Sequence, residues 1–600
     1  MEIRHRLPAS AGMRAARDLL LRCRLWLTAR LWAARAARRR RRLRRTVPGL
    51  RRVAFGSQRL YGRTVAAYTA AEAVEADLAQ VCDLLEAAGV PYFLVPSEHG
   101  HGAPRQVVGV ADTHRRTVLA QAARTFPGTA AYVGAVGADG GVSNAVLWAD
   151  GKLPRALGRA AVLRIGEVRL GPAGQVLSGL EAGCDIEFWR QGRDLGAEPG
   201  HLTVPGDKLA DVYATALVAP RRNPVSEVVP EAAQKPATVA VHARPVPTFA
   251  AFAEPGIDEV LFPVDAVYTW VDGNDPAMAA KRRAHQERSE NDIAARETGD
   301  SRYTSHDELK YALRSLEMYA GFVRHVYLVT DAQVPEWLDP EAEGITVVDH
   351  RDILPADALP VFNSHAIESR LHHIPGISDH YLYFNDDVFI NRPVQAEHFF
   401  HGNGIARIPF SPLKLGVGAP HPLEPAPNSA GKNTREVIKR FHGRQITNKS
   451  LHTPHPQLLS VMREMEQLEI GELQRTAYSR FRSTSDVAPA STLHHHWALA
   501  TGRAVPAEYL FRYVQLGSPD MRQRLARLAA GEDVDFFCLN DVDTPAAARA
   551  AAQHAIGAFL QRKYPFPSRF ERRGKGTAAR PRGGPARRRI REKAPVQPVD

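Results

Sequence analysis

Residues 381–391 read Tyr-Leu-Tyr-Phe-Asn-Asp-Asp-Val-Phe-Ile-Asn, an aromatic and β-branched run that Asn385, Asp386 and Asp387 interrupt. Apolar residues on both sides of the interruption predict a buried strand with two carboxylates at its end. In open α/β sheets ligands bind just beyond the carboxyl ends of the strands, so the expected partner is a divalent cation or a hydroxyl that must lose its proton. The alternative is an Asn-Asp turn in which the aspartates only cap the backbone.

Other strands with acidic ends surround this stretch. Residues 264–271, 325–329 and 345–348 read as strands, and residues 307–320 and 367–374 read as helices. Alternating strands and helices predict an α/β fold with an open, mostly parallel sheet and flanking helices. Acidic residues follow successive strands at Asp272, Asp331, Asp349, Asp386 and Asp387. Their expected convergence on one edge of the sheet favours an active site over a set of separate caps.

Composition divides the remaining chain into further segments. Residues 1–52 form a basic arm whose leucines and tryptophans alternate with arginines, which predicts an amphipathic helix on an anionic membrane surface or a solvated arm, with RNA binding as a weaker third alternative. Residues 53–219 predict a smaller α+β accessory domain. Residues 220–258 predict a proline-rich linker, because seven prolines fall within residues 220–255. The catalytic domain is then expected over residues 259–565, and a basic disordered tail over residues 566–600.

The net charge of +13 belongs to the two ends of the chain. Residues 1–52 hold 17 arginines and two acids, and residues 571–600 hold ten basic and three acidic residues, so the body between them is acidic. Nucleic acid is therefore not the expected partner. The four cysteines form no CxxC pair, and the chain has neither a secretory signal nor an apolar run that could span a bilayer. These features predict a cytoplasmic protein, peripheral at the inner face of the plasma membrane.

Four segments, in order, resemble the signature regions of the Stealth family. The first is Val-Tyr-Thr-Trp-Val-Asp-Gly-Asn-Asp-Pro at residues 267–276. The second is Arg302-Tyr303 with Asp-Glu-Leu-Lys-Tyr-Ala-Leu-Arg-Ser at residues 307–315. The third combines Phe-Asn-Ser-His-Ala-Ile-Glu at residues 362–368 with Phe-Asn-Asp-Asp-Val at residues 384–388, and the fourth is Cys-Leu-Asn-Asp at residues 538–541.

This resemblance implies a sugar-1-phosphate transferase with a fold like that of nucleotide-sugar transferases. The family contains bacterial capsular and cell-wall polysaccharide phosphotransferases and the lysosomal N-acetylglucosamine-1-phosphotransferase. The implied reaction moves a hexose-1-phosphate, expected to carry an N-acetylhexosamine, from a UDP-sugar to a sugar hydroxyl of a cell-surface polysaccharide. The products would be a phosphodiester and UMP.

The resemblance also implies roles for individual residues. Asp387 is the expected general base, while Asp386 and Asp541 are the expected ligands of a divalent cation, Mg²⁺ or Mn²⁺. His455, before His452, is the expected catalytic histidine of the segment Leu-His-Thr-Pro-His-Pro at residues 451–456, although His-Pro pairs also occur in simple turns. Arg482 is expected on phosphate oxygens, with a surface ion pair as the alternative. The expected substrate-binding residues are Trp270, Asp272, Arg302, Glu308, Asn363, Ser364, Asn385, His452 and Asn540.

Two other sets of polar residues do not by themselves indicate a function. The run His494-His495-His496 is expected to have a structural or partner-facing role, because consecutive residues do not face one ligand together. The basic residues between 428 and 450 are read either as an acceptor groove or lid, or as a solvated helix face.

Two rival functions stay open. The first is a metal-dependent glycosyltransferase, which would release UDP instead of UMP. The second is a scaffold whose basic arms bind a membrane or an anionic polymer.

Overall fold

The computed structural model of the chain describes residues 9–55, 58–97, 105–137, 139–151, 153–195, 204, 206–286, 303, 305–541, 544 and 546–572. Its elements alternate between strands and helices, and the fold is mixed α/β. The predicted site residue Arg302 and most of the basic tail lie outside these ranges. None of the helices in the described ranges is long and apolar enough to cross a membrane.

The amino-terminal half is built around one mixed sheet, in the order β12-β11-β10-β7-β5-β6 with β4 and β3 added beside β10. Strands β4 and β10 are parallel, with Val107 opposite Asp185. The elements of this half are α1 Ala9–Thr46, β1 Leu50–Phe55, β2 Gln58–Thr64, α2 Ala70–Ala87, β3 Phe93–Val95, β4 Val107–Ala111, α3 Arg115–Thr125, β5 Ala131–Val136, β6 Val142–Leu147, α4 Arg155–Arg159, β7 Val162–Glu167, β8 Arg169–Leu170, β9 Val176–Ser178, β10 Cys184–Gln191, α5 Gly206–Asp211, β11 Leu217–Val218, β12 Val228–Val229, β13 Pro236–Val241, β14 Arg244–Phe249 and α6 Ala250–Ala253.

The carboxy-terminal half contains the predicted open sheet, in the order β17-β16-β15-β18-β22. The first four strands are parallel and β22 is antiparallel to β18. The elements are β15 Val264–Thr269, α7 Pro276–Gln286, α8 Glu308–Tyr319, β16 Val323–Thr330, β17 Ile345–Asp349, α9 His350–Ile353, α10 Ser364–Glu368, β18 His380–Asn385, β19 Val388–Ile390, β20 Ala406–Lys414, α11 Ala426–His442, β21 Asn448–Ser450, β22 His455–Leu458, α12 Leu459–Gln467, α13 Gly471–Ala477, α14 His494–Ala500, β23 Ala504–Ala507, β24 Phe511–Gln515, α15 Met521–Ala529, β25 Phe536–Asn540 and α16 Ala546–Lys563.

The chain changes sheets at the two aspartates. Strand β18 ends at Asn385, Asp386 and Asp387 form a turn, and β19 then pairs with β25 in a second sheet of order β19-β25-β24. Val388 lies opposite Cys538 in that pairing. The predicted strand over residues 381–391 is therefore two short strands in different sheets. Both are buried because their Leu, Phe and Ile side chains pack in one shared hydrophobic core.

Residues 9–46 of the predicted amino-terminal arm form one helix, α1. Its carboxyl-terminal part is fixed to the body, since Ala36 and Leu43 are buried and Arg40 forms an ion pair with the Asp150 carboxylate. Trp26 and Leu31 nearer its start are more than half exposed. The helix therefore combines an anchored end with an arginine-rich part that presents apolar side chains to solvent.

Three other segments differ from the expectations. Residues 236–249 of the predicted linker form the β13–β14 hairpin, which Arg244 ties to Asp83 and Glu86 of α2. The helix predicted over residues 367–374 begins earlier, because the Asn363 side chain caps α10 by accepting from the His365 N–H, and it ends at Glu368. Packing also continues past residue 565: Phe566 and Phe570 are buried, and Glu571 pairs with Arg314 at 2.7 Å.

Candidate active site

The carboxylates gather in one pocket of about 200 Å³ at the carboxyl edge of the open sheet. The ends of neighbouring strands meet there, because Thr269 lies opposite Asn385 and Thr330 opposite Asp349. The polar residues that line it are Thr269, Glu308, Asp331, His350, Asn363, Ser364, Asn385, Asp386, Asp387, Arg482, Asn540 and Asp541. A larger cavity of about 460 Å³ lies in the amino-terminal half, and the described residues that line it include one carboxylate, so we place the chemistry in the smaller pocket.

Asp387 is held by donors from the second sheet. Its Oδ2 atom accepts from the Cys538 thiol at 3.1 Å and from the Asn540 amide at 3.2 Å, and its backbone carbonyl accepts from the Leu539 N–H. The His452 Nε2 atom lies 3.4 Å from its Oδ1 atom. Burial raises the pKa of Asp387, but His452 and these hydrogen bonds outweigh burial and lower that pKa below its usual range. Asp387 is thus an ionised carboxylate in a fixed orientation.

Asp386 has the opposite electrostatic environment. Burial raises the pKa of Asp386 well above its usual range, and the nearby charges of Asp387 and Glu308 raise it further. Burial likewise raises the pKa of Glu308 to about 7. The Glu308 side chain is 5% exposed, and its Oε2 atom accepts from the His306 N–H at 2.6 Å. These carboxylates repel one another, so a positively charged ligand in the pocket would stabilise all of them.

His306 and Asp541 form an ion pair at the edge of the pocket. The His306 Nε2 atom lies 3.1 Å from the Asp541 Oδ2 atom, and the Thr544 N–H donates to the other oxygen. The hydrogen bond with Asp541 raises the pKa of His306. Burial raises the pKa of Asp541, but the hydrogen bonds from His306 and Thr544 lower it overall. Asp541 is therefore ionised and held by two donors.

The oxygen-rich pocket fits a divalent cation. Asp386 and Asp541, the expected ligands, both line it together with Glu308, and the Asn540 Oδ1 atom is buried without a hydrogen-bond partner among the described residues. Mg²⁺ and Mn²⁺ prefer such carboxylate and amide oxygens. A nitrogen and a sulfur donor also lie close by, since ligand atoms of Asp387, His452 and Cys538 are within 4.8 Å of one another. The oxygen set matches the predicted Mg²⁺ or Mn²⁺ better than this mixed set does.

Arg482 faces the pocket from a segment beyond α13. Its Nη2 atom donates to the Ser364 hydroxyl at 2.9 Å, which orients the guanidinium at the start of α10. Asn363 supports the same segment, because its Nδ2 atom donates to the Asp486 carboxylate at 2.9 Å and to the Ser479 carbonyl. Asn363 is fully buried. Its amide therefore positions Arg482 and Ser364 rather than offering free donors to a substrate.

The two histidines of residues 451–456 have different surroundings. His452 contacts Asp387 and a third of its side chain is exposed. His455 is 2% exposed, on β22 opposite Tyr383, and burial lowers the pKa of His455 to about 3. A histidine that stays neutral in the core does not supply the near-neutral titration expected of His455. Of the two histidines, His452 is the one that contacts Asp387.

Of the other residues predicted from the sequence, some line the pocket and others only stabilise turns or helix ends. Trp270 and Asn385 line the pocket, whereas Asp272 closes its own turn by accepting from the Asn274 N–H. Asp349 is a helix cap, since it accepts from the Arg351 N–H at the start of α9. The convergence of acids predicted from the sequence thus holds for Asp331, Asp386 and Asp387, but Asp272 and Asp349 follow the capping alternative.

The three consecutive histidines and two of the basic residues between 428 and 450 have structural partners. His494, His495 and His496 are buried on α14, where the His494 Nε2 atom accepts from the Leu458 N–H at 2.8 Å. On α11, Lys432 pairs with Glu424, and Arg435 donates to the Ile446 and Gly416 carbonyls. Lys432 therefore holds the loop before α11, and Arg435 joins that loop to the segment after α11, so these two cations do not form an acceptor groove.

Several residues in or next to the pocket were not predicted from the sequence. His306 lies between the two parts of the second signature region, and Cys538 opens the fourth, so the motifs contained a signal for both. His350 lines the pocket and is 4% exposed, with neither ring nitrogen hydrogen-bonded in the described part of the chain. No residue pattern identified His350, because its position depends on the order of strands in the sheet.

Comparison with known proteins assigns the same segments to one family. Models described as Stealth protein conserved regions 1, 2, 3 and 4 match residues 262–285, 302–408, 451–499 and 527–581. The matched segments contain Trp270, Asp386, Asp387, Arg482 and Asp541.

Curated relatives cover most of the chain. The chain is 40% identical over 502 residues to an exopolysaccharide phosphotransferase of Streptomyces coelicolor, covering 83% of this chain and 82% of the relative. A second exopolysaccharide phosphotransferase of that organism is 37% identical over 554 residues, 87% of this chain and 88% of the relative. The exopolysaccharide phosphotransferase CpsY of Mycobacterium tuberculosis is 33% identical over 511 residues, 84% of this chain and 89% of the relative.

Proposed function

The chain belongs to the Stealth family and is a sugar phosphotransferase, and we propose that its substrates are a UDP-sugar and a hydroxyl group of a cell-surface polysaccharide. The acceptor oxygen forms a bond to the phosphorus that carries the sugar, and the bond from that phosphorus to UMP breaks. The product is a sugar-1-phosphate joined to the polysaccharide as a phosphodiester. An N-acetylhexosamine is the sugar we expect.

One observation supports this proposal above the others: an ionised, oriented carboxylate and an arginine line the same pocket. Asp387 is held by Cys538 and Asn540, and Arg482 is held by Ser364. Both residues line the pocket where the strand ends meet. Phosphoryl transfer requires a group that accepts the nucleophile's proton and donors that stabilise charge on phosphate oxygens. The pocket contains both.

Asp387 and His452 act together on the acceptor hydroxyl. The hydroxyl proton moves to this pair as the oxygen attacks phosphorus, so that the nucleophile gains negative charge only as the new bond forms. His452 contacts the carboxylate and a third of its side chain is exposed, whereas Cys538 and Asn540 fix the other carboxylate oxygen. A fixed base avoids reorganisation during the reaction.

Arg482 binds the diphosphate of the donor. A guanidinium presents its N–H groups as a planar fork that matches phosphate oxygens, and Ser364 fixes one side of that fork. Trp270 and Asn385 line the same pocket and are the residues we expect to contact the rest of the donor. Asp386 and Asp541, with Glu308 beside them, would hold a divalent cation. When bound, that cation supplies positive charge that neutralises the diphosphate.

Helix α1 is the part of the chain that we expect to contact an anionic membrane surface. Trp26, Leu27 and Leu31 are each more than half exposed, and arginines surround them. Apolar side chains that insert at the headgroup level and cations that attract anionic lipid act together in surface helices. We propose a location at the inner, cytoplasmic face of the plasma membrane. Sedimentation with anionic vesicles, compared between the wild type and Trp26→Ala/Leu31→Ala, checks this contact.

The experiment for the proposed function measures nucleotide release from a panel of nucleotide sugars. The purified full chain is incubated with each donor, a polysaccharide acceptor and Mn²⁺ or Mg²⁺, and nucleotides are separated by chromatography. We expect UMP from a UDP-linked sugar and no release by Asp387→Asn. Release of UDP would instead identify a glycosyltransferase, and release of neither nucleotide from any donor would contradict the proposal.

A further inference from the structure

A second cluster of metal-ligating side chains lies apart from the active site. His372, His373 and Glu466 each offer one ligand atom, and these atoms lie within 4.8 Å of one another. None of the three residues lines the active-site pocket. All three belong to residues 305–541, which the structure describes without a gap. The cluster is therefore a separate candidate site whose ligands all come from the carboxy-terminal half.

A tight turn brings the two consecutive histidines to one carboxylate. Leu371–His373 form a single 3-10 turn between α10 and β18. The His372 Nε2 atom lies 2.9 Å from the Glu466 Oε2 atom, and the His373 Nε2 atom lies 2.9 Å from Oε1. Neighbouring residues in a regular strand or α-helix point in different directions. This turn instead lets both rings reach the same point, with their centres 4.3 Å apart.

Both segments that carry the ligands are anchored in the core. Leu371 and His372 are buried on the side of the turn, and Met462 and Met465 are buried on α12, whose last turn contains Glu466. The ligand atoms are thus positioned before an ion binds, which reduces the entropy lost on binding. The side chains of His373 and Glu466 are 42% and 31% exposed, so an ion has access from solvent.

The ligand set and its spacing match zinc. Zn²⁺ binds histidine nitrogen and carboxylate oxygen at about 2.0–2.2 Å, so two such ligands on a tetrahedral ion lie about 3.4 Å apart. The two nitrogen-to-oxygen distances of 2.9 Å therefore need to widen by only about 0.5 Å. Imidazole ligands favour zinc over Mg²⁺ and Ca²⁺, which prefer oxygen. Two histidines and one glutamate leave the fourth position to water.

Arg370 is the one cation that contacts this carboxylate in the described part of the chain. It forms an ion pair with the Glu466 Oε1 atom, whereas the Oε2 atom accepts from His372. An ion held by Oε2 and the two Nε2 atoms leaves Arg370 on Oε1, as the outer hydrogen-bond partner that a ligating carboxylate usually has. The guanidinium charge repels the ion, so we expect weaker binding than at a closed site with four protein ligands.

We propose that His372, His373 and Glu466 bind Zn²⁺ as a structural clip between α12 and the turn before β18. The turn begins three residues after the end of α10, the helix whose first residue, Ser364, holds Arg482. The ion therefore fixes the chain just behind that helix and stabilises the folded state by binding to it. The inference does not depend on the donor or the acceptor of the reaction, because no ligand of the clip belongs to the active site.

The test measures Zn²⁺ binding to the metal-free full chain by isothermal titration calorimetry. All proteins carry His452→Ala, because Asp387, His452 and Cys538 also offer zinc ligands close together. His373→Ala removes one ligand of the clip at a partly exposed position, so the fold should be preserved. His554→Ala removes an exposed histidine of α16 and is the matched control.

We expect His373→Ala to weaken Zn²⁺ binding by at least about 100-fold, because loss of an outer partner alone usually costs about 10- to 100-fold. His554→Ala should change the affinity by less than about twofold. Zn²⁺ should raise the melting temperature of the parent and of His554→Ala, but not that of His373→Ala. X-ray absorption of the zinc complex should show nitrogen and oxygen ligands at about 2.0–2.2 Å and no sulfur at about 2.3 Å.

A second variant, Glu466→Gln, removes the carboxylate but keeps the length of the side chain. It should also weaken Zn²⁺ binding by at least about 100-fold, and it decides the outcome if His373→Ala does not fold. Equal affinity in His373→Ala and His554→Ala, a sulfur ligand on the bound zinc, or no binding to the parent would overturn the proposal. The cluster would then be only a hydrogen-bonded ion pair between the turn and α12.

Discussion

Replacing His452 with alanine tests how the base at the active site is organised. The His452 Nε2 atom is 3.4 Å from Asp387, and two unit charges at that distance attract by about 5 kcal/mol at an effective dielectric constant of about 20. A third of the His452 side chain is exposed, so screening reduces this value. Proton transfer by a positioned group contributes about 10²–10⁴-fold to rate, and we expect His452→Ala to lower kcat by about 100-fold, or about 2.7 kcal/mol.

The same substitution should change the pH dependence of the rate. His452 helps to lower the pKa of Asp387, so its removal raises that pKa. Asp387 must be ionised to accept a proton, and the acid limb of the kcat profile should therefore move to higher pH in His452→Ala. Initial rates of UMP release between about pH 5 and 9 measure both effects.

His455→Ala is the matched comparison, three residues away in the same segment. Its side chain is buried in the core, so we expect a loss of about 2–4 kcal/mol in the free energy of unfolding from the cavity it leaves. The kcat of the folded protein should stay within about threefold of wild type, because a neutral core histidine does not reach the substrate. A 100-fold loss in a folded His455→Ala protein, with His452→Ala nearly unaffected, would refute this reasoning.

Three further expectations concern charge in and around the site. Asp386→Asn removes one of the mutually repelling carboxylates, so without added metal it should raise the melting temperature by about 2–4 °C. The rise in melting temperature that Mn²⁺ causes in the wild type should be lost in this variant. An unchanged response to Mn²⁺ would show that Asp386 does not hold the cation. Arg482→Lys keeps the charge but loses the planar fork, and we expect kcat/KM for the UDP-sugar to fall by about 10- to 100-fold, whereas wild-type kinetics would contradict a phosphate contact. Burial lowers the pKa of His455 and of His494 to about 3, below that of a histidine in the unfolded chain. The free energy of unfolding should therefore be highest above about pH 6.5, and each of these histidines should lower it by about 2 kcal/mol at pH 5. Urea unfolding at pH 7.5 and 5.0 measures this loss, and equal free energies of unfolding at both pH values would contradict it.

The local pattern of the chain predicted the elements of the open sheet well. Strands β15, β16, β17 and β18 and helix α8 lie where apolar runs and helical spacing indicated them. The order of strands then brings Asp386 and Asp331 to one pocket, as expected for parallel strands with acidic ends. The crossing of the chain into a second sheet after Asp387 was not predictable, because Val388–Ile390 is apolar in either arrangement and only pairing with β25 decides it.

The roles of individual side chains were harder to predict from sequence. Asp349 and Asp386 both follow strands, yet Asp349 caps α9 while Asp386 faces like charges. His452 and His455 differ in burial because β22 begins at His455 and carries only that histidine into the core. Such differences depend on tertiary packing, which residue type and spacing do not encode locally.

The most direct test of the proposed reaction follows the β-phosphorus of the donor. The full chain is incubated with a UDP-N-acetylhexosamine labelled with ³²P at the phosphate that bears the sugar, together with the polysaccharide acceptor and a divalent cation. Asp387→Asn serves as the inactive control. Attack at phosphorus predicts that the label moves to the polysaccharide and that unlabelled UMP is released. Recovery of the label in UDP, with unlabelled sugar on the polysaccharide, would contradict phosphoryl transfer and identify attack at the sugar carbon instead.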